Sequence, residues 1–222
     1  MQKKKKASRA SLSREQVLRA ALGLADESGL QALSMRELGR KLGVEAMSLY
    51  NHVAGKDDVL DGMVDLVVGE IELPGPEADW RQAMRQRAVS ALKAFKRHPW
   101  ASALIDSRMS GGPGRLRYFE SVIGALRRAG FSIRLAGRAF SLLDSYIYGF
   151  CRQSVGIAAV DAGEAPAAET FLKALPVEQF PYLAEMAAMQ SVEPGYDEDS
   201  DFEFGLTLIL DGLEKAREEG GP

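Results

Sequence analysis

Apolar positions recur at intervals of three and four along the chain, and no stretch sustains the period-two alternation of a half-buried strand. The pattern predicts an all-α fold. Val17, Ala20, Ala21, Leu24 and Ala25 form a first stripe, and Ser13 and Gln16 ahead of it have the spacing of a capping box. Ser34 and Glu37 repeat that signal, so a helix is predicted from about Met35, with Met35, Leu38 and Leu42 on one face and Arg36, Arg40 and Lys41 elsewhere. Gly43 ends it, because a residue without Cβ enters the left-handed region cheaply. A further helix is predicted from Glu45 to His52, packing through Val44, Leu49 and Val53. Two short helices about a glycine turn outline a helix-turn-helix, and the helix after Ser13 makes the unit three-helical. From Lys56 to Ile71 the stripe widens (Val59, Leu60, Met63, Val64, Val67, Val68, Ile71), which predicts a connecting helix buried at both ends. Asp57 and Asp58 fall in its first turn, where the helix dipole favours carboxylates.

Two prolines and a glycine in the eight residues Glu72 to Asp79 break that helix and set the predicted domain boundary. The first domain is therefore 13–71 and the second 80–219. Within the second, helices are predicted over 80–98, 115–129, 133–159, 178–189 and 202–219, with a short segment at 100–109. Pro99 and Gly130 act as stops, Ser132 as a cap, and Pro181 is tolerable in a first turn. Loops are predicted at 110–114 (SGGPG), at 160–169, which is flexible by composition, and at 193–201, which is acidic. The helices near 133–155 and 202–217 carry more apolar surface than one neighbour covers. They predict either self-association as a two-fold homodimer or a central place in the bundle.

Charge sharpens the picture. The 222 residues carry 28 Lys+Arg against 31 Asp+Glu, a net −3. Up to Lys56 the count is 11 basic against 5 acidic, and beyond it 17 against 26. A polyanion would be drawn to the helix-turn-helix end and repelled by the rest. Residues 1–12 read as a disordered basic arm, either tracking phosphates and entering a minor groove or merely solvated. No apolar stretch follows MQKKKK, so it is not read as a signal peptide, and no run approaches the roughly 18 apolar residues of a membrane helix. The single cysteine, Cys151, excludes an intrachain disulfide and a multi-cysteine zinc site and fits a reducing cytoplasm.

The runs LSMRELGRKLGV, LYNHV and GKDDVLDGM resemble the DNA-binding signature of the tetracycline-repressor (TetR) family. The likeness extends from Ser13 to about Ile71, and AGFSIRLAGRAFSLLDSYIYGF and LPVEQFPYLAEMA are similar to that family's C-terminal domain. The resemblance implies a homodimer with two DNA heads and a small-molecule pocket in each C-terminal domain. It makes Glu45 to His52 the reading helix, with Ala46, Met47 and Ser48 facing base edges and Tyr50, Asn51 and His52 contacting bases or phosphates. It also puts Arg36 against a base or the backbone and Lys56 against a phosphate. The chemistry agrees: Arg reads guanine, Asn pairs with adenine, and Ala or Met meets a thymine methyl. Tyr50 has a rival role as a core aromatic.

The family's namesake holds a magnesium chelate partly through histidine. Here the only histidine beyond the head is His98, at a helix end beside Pro99, where a solvated or capping role is expected. No metal or cofactor is therefore predicted, and the expected effector is an unidentified, hydrophobic small molecule. Candidate pocket residues on the inner faces of the second domain are Met84, Leu104, Met109, Phe119, Ile123, Phe140, Asp144, Tyr148 and Cys151, with plain core packing the competing role. Asp144 and Gln153 stand out as polar positions on an apolar helix. No nucleophile has a base beside it in any recognisable pattern, and SGGPG lacks the lysine of a phosphate cradle, so no catalytic residue is predicted. These readings converge on a ligand-responsive, dimeric repressor of a palindromic operator, with a DNA-binding dimer lacking a small-molecule ligand as the alternative.

Overall fold

In the computed structural model, which describes residues 12–75, 77–105, 107–108, 111–161, 176–192 and 198–220, all regular structure among the described residues is helical. The elements are α1 (Arg14–Ser28), a 3-10 turn (Leu30–Ala32), α2 (Met35–Leu42), α3 (Ala46–Leu49), α4 (Lys56–Gly69), α5 (Trp80–Arg97), α6 (Ala101–Ile105), α7 (Pro113–Arg128), α8 (Ile133–Asp161), α9 (Pro181–Val192) and α10 (Glu198–Glu218). Most of the arm, the side chain of Met109, the loop at 160–169 and much of the acidic loop lie outside the described residues.

The chain divides into two compact units that are not contiguous in sequence. Met1–Ile71 with Lys93–Phe119 form one, and Glu72–Leu92 with Glu120–Pro222 the other. Residues 93–119, which the sequence split places in the second domain, gather by contact with the first unit. Ionic contacts supply the reason. Asp57, Asp61 and Asp65 stand one turn apart on α4: Arg108 bonds Asp57 at 2.8 Å and Asp61 at 2.7 Å. The Asp65 carboxylate accepts the backbone N–H groups of Gly114 (3.1 Å) and Arg115 (2.8 Å), capping α7. His98, expected in a solvated or capping role, follows the end of α5 and is 6% exposed, so it is not solvated. Its Nδ1 lies 2.8 Å from Asp26 of α1, its Nε2 3.4 Å from Glu70, and the Trp100 indole N–H donates to the same Asp26 at 2.7 Å.

Within the first unit, the box at α1 is complete: Gln16 N–H donates to the Ser13 hydroxyl (3.2 Å) and Ser13 N–H to the Gln16 side chain (2.8 Å). At α2 only half forms. Ser34 accepts from Glu37 N–H at 3.1 Å, but the Glu37 carboxylate turns to Arg40. Gly43 adopts φ 67° as predicted, and the chain doubles back so that Val44 N–H reaches Gly39 O at 3.0 Å. A Cβ on Gly39 would stand 2.9 Å from Val44 O, so that close crossing of α2 and α3 requires glycine. Helix α3 is shorter than the predicted span 45–52. Asp58 accepts the N–H of Ala54 at 2.8 Å and draws the chain out of the helix through turns at Tyr50 to His52. The same carboxylate holds Arg14 in a two-pronged pair at 2.6 and 2.7 Å, joining the start of α1 to the start of α4.

In the second unit α8 packs on α10. Tyr146 stacks on Phe202 with centroids 5.3 Å apart, and its hydroxyl donates to Phe202 O at 2.8 Å. Arg81 pairs with Asp211, and Arg85 with Glu203 and with Thr207, fastening α5 to α10. Pro181 is the first residue of α9, the position its missing N–H allows.

The hydrogen bond and charge of Arg14 lower the Asp58 pKa against the opposing effect of burial. A carboxylate depressed on folding contributes its full stability above the ordinary aspartate value of about 3.9, and loses it as the pH falls through the folded value. Asp58→Asn is therefore expected to be less stable than the parent at neutral pH and to converge with it as the pH falls through the lowered folded value. Urea midpoints measured across that range test this; a gap independent of pH would remove the pair from the account.

Candidate nucleic-acid interface

Helix α3 is anchored by Leu49, which is fully buried, so the residues around it project outward. Among the described residues from Leu12 to Ile71, only two large apolar side chains are exposed, Met47 (76%) and Tyr50 (48%). Glu45 and Asn51 are exposed beside them, while Ala46, Ser48 and His52 are half-buried. Glu45 is the N-cap of α3 and makes no side-chain capping bond. A surface recess of about 470 Å³ is lined by Ser34, Arg36, Glu37, Arg40, Val44, Glu45 and Ala46, bringing the start of α2 beside the start of α3. The structure thus collects the predicted positions Arg36, Glu45, Ala46, Met47, Ser48, Tyr50, Asn51 and His52 on two short helices and the turn after them, with Lys56 opening α4.

Most head cations are already committed. Arg14 pairs with Asp58, Arg19 with Glu15 at 2.8 Å, Arg40 with Glu37, and Lys41 with Glu27 at 2.6 Å. The Arg40 hydrogen bond lowers the Glu37 pKa and raises that of Arg40. Arg36 and Lys56 are exposed and form no salt bridge among the described residues, which leaves their charges available to a phosphate or a base edge. Sequence reasoning missed Arg14 and the reach of Asp58. Together they tie the start of α1 to the start of α4 and to the turn at Ala54.

The candidate effector residues are divided. Leu104 and Phe119 belong to the first unit, and Met84, Ile123, Phe140, Asp144, Tyr148 and Cys151 to the second, while Met109 lies outside the described residues. Met84, Tyr148 and Cys151 are buried. Asp144 is buried rather than exposed: it accepts from Arg87 Nη1 at 2.7 Å and from the Tyr148 hydroxyl at 2.9 Å. Arg87, fully buried, escaped the sequence reading. Its place on the α5 face that carries Met84, Ala88 and Ala91 was the available signal. Gln153, the other polar position on that helix, is exposed. Among the described residues, no cluster of His, Cys, Asp and Glu could hold a metal, and no helix is long and apolar enough to cross a membrane.

A three-helix head ending in an exposed reading segment, followed by a helical second unit, defines a helix-turn-helix transcriptional regulator. The chain belongs to the TetR family. A family model for bacterial regulatory proteins of the tetR family matches residues 17–63, and one for the tetracyclin repressor-like C-terminal domain matches 73–217. The HTH-type transcriptional repressor DrrR1 of Streptomyces coeruleorubidus is 32% identical over 92% of this chain and 78% of its own length. The class D tetracycline repressor protein from Escherichia coli is 30% identical over 92% and 90%. Apo ActR from Streptomyces coelicolor superposes with a TM-score of 0.76 at 31% identity, covering 94% of this chain and 99% of that one. ActR in complex with actinorhodin gives 0.73 at 31%, over 92% and 96%. The family is one of transcriptional regulators, not enzymes.

Removing one partner of a buried ion pair strands the other charge. Asp144→Ala is expected to cost about 3 to 5 kcal/mol, and the double variant Arg87→Met/Asp144→Leu less, because it removes both buried charges of the pair. Urea denaturation of both variants checks the ordering. A double variant as unstable as the single would mean that the pair is not what Asp144 contributes.

Proposed function

We propose that the chain is a ligand-responsive, dimeric repressor that acts in the cytoplasm, binds a palindromic DNA operator through Arg36, Glu45 to His52 and Lys56, and is released by a hydrophobic small molecule. The observation that carries the DNA reading is the pairing pattern of the head. Four of its structured cations are held in ion pairs, and the two left over, Arg36 and Lys56, flank the exposed reading segment. Dimerisation is supported by Phe204 and Leu208, 69% and 58% exposed on the side of α10 away from buried Phe202, Leu206 and Leu210, and by exposed Leu142 on α8. A second copy would cover them. Two heads spaced by about one helical turn, roughly 34 to 36 Å, would then meet successive major grooves.

Effector control draws on ActR, a relative whose structures hold actinorhodin and (S)-DNPA. In this chain the candidate effector residues that share the second unit are Met84, Ile123, Phe140, Asp144, Tyr148 and Cys151. An effector acts as a population shift: it releases DNA only by binding the non-operator spacing of the heads more tightly.

Selection of bound duplexes from a randomised library, followed by gel shifts, tests the DNA reading. Tyr50→Ala and Lys56→Ala are expected to weaken binding to the selected sequence while the dimer persists in size-exclusion chromatography. Loss of one phosphate contact at Lys56 should also lower the slope of log affinity against log salt by about 1. Failure of any sequence to enrich over bulk DNA overturns the proposal.

For the effector, hydrophobic small molecules that raise the melting temperature should also release the selected duplex. A screen in which no class stabilises the protein leaves a DNA-binding dimer without a ligand.

A further inference from the structure

We propose that Met47 is a specificity-determining residue that reads thymine 5-methyl groups in the major groove, so that the recognised sequence carries thymine beneath the tip of α3. The proposal rests on the DNA reading above and adds the chemical feature recognised. Met47 is 76% exposed, whereas the large apolar side chains between Leu12 and Ile71 other than Tyr50 are buried or half-buried. A head that sequesters apolar surface so consistently leaves one unbranched thioether standing at the reading segment.

Its neighbours narrow what it meets. Ala46 offers no hydrogen bond, and the exposed Glu45 carboxylate only accepts, so the start of α3 lacks the forked donors that recognise guanine or adenine edges. The feature of a base pair that an apolar side chain recognises in the major groove is the thymine methyl. Methionine suits it, because three rotatable bonds and a polarisable sulfur let the side chain settle against a small apolar knob. A protein partner fits the surroundings less well. The two exposed side chains make a patch smaller than protein docking sites use, and the uncommitted charges of Arg36 and Lys56 favour an anionic partner.

The division of labour follows from position. Lys56, opening α4, and Arg36, in the first turn of α2, supply positive charge on either side of α3. Charge sets register on the phosphates, and the methyl contact selects the base.

The test uses the full chain and a duplex selected from a randomised library, synthesised once with thymine and once with deoxyuridine, which lacks only the methyl. The deoxyuridine duplex is expected to bind about fourfold more weakly per methyl lost, and about fifteenfold if each of two half-sites loses one. Met47→Ala should bind the thymine duplex more weakly and treat the two duplexes alike, while Met47→Leu should retain most of the discrimination. Deoxyuridine placed one position at a time should confine the loss to one thymine per half-site. Equal binding of both duplexes by the parent protein, once a sequence has been selected, overturns the role of Met47 but leaves the operator reading standing. An unchanged thymine preference in Met47→Ala does the same, because the methyl is then read elsewhere. If no sequence enriches, the operator reading itself falls and this role with it.

Discussion

Asp58 accepts from two elements at once. Its carboxylate takes both arms of the Arg14 guanidinium, at 2.6 and 2.7 Å, and the backbone N–H of Ala54 at 2.8 Å. The first contact ties the start of α1 to the start of α4. The second holds the turn that leads into α4. One side chain thus braces the starts of α1 and α4 and the turn between α3 and α4. Gly39 and Gly62 make that geometry tight. Added Cβ atoms would lie 2.9 Å from the backbone Val44 O and 2.6 Å from the Leu18 side chain, so α2 against α3 approaches more closely than alanine allows, while alanine at 62 would require Leu18 to shift.

The rest of the first unit extends the same use of carboxylates along α4. Asp57, Asp61 and Asp65 recur every four residues, the spacing that puts them on one face of a helix. Arg108 and the N-terminus of α7 occupy that face. Hydrogen bonds to Asp57 and Asp61 raise the Arg108 pKa, so this guanidinium is charged at any pH the fold survives. The apolar face of α4 meanwhile packs on α1 and on α6. One helix therefore joins the head to 93–119 by two faces of different chemistry.

What was legible in the chain was whatever has a local cause. The Ser13 and Gln16 box and the left-handed Gly43 arise within three or four residues, and each stands where the sequence put it, whereas the helix predicted from 178 begins at Pro181. The helix-turn-helix was legible for the same reason. Contacts between distant charges leave no periodic trace. Arg108 with Asp57 spans 51 residues, Arg87 with Asp144 57, and His98 with Asp26 72. Through them residues 93–119 gather by contact with the first unit and His98, expected in a solvated or capping role, is buried. Half of the Ser34 box failed for a subtler reason. Arg40, one turn along, offers Glu37 a charge-assisted bond, which is stronger than the neutral backbone N–H it was expected to take.

Charge, which first marked the amino-terminal region as the anion-facing end, is distributed differently once the pairs are known. Of the 11 Lys+Arg up to Lys56, Lys3, Lys4, Lys5, Lys6 and Arg9 precede Leu12, while all 5 acidic residues follow it. From Leu12 to Ile71 the head therefore carries six cations against ten acidic residues, and ion pairs commit four of the six cations. Long-range attraction to a polyanion resides mainly in the arm's five cations. Short-range selection falls to the few side chains that the folded head leaves open. Because attraction through phosphates carries no sequence information, a head of this kind gains selectivity by not adding to it. On the DNA reading proposed above, pairing Arg14, Arg19, Arg40 and Lys41 internally would lower affinity for every duplex alike, and Arg36, Met47, Tyr50 and Asn51 would be left to distinguish one duplex from another. Internal neutralisation of the head would then raise the ratio of specific to non-specific binding by removing part of the non-specific term.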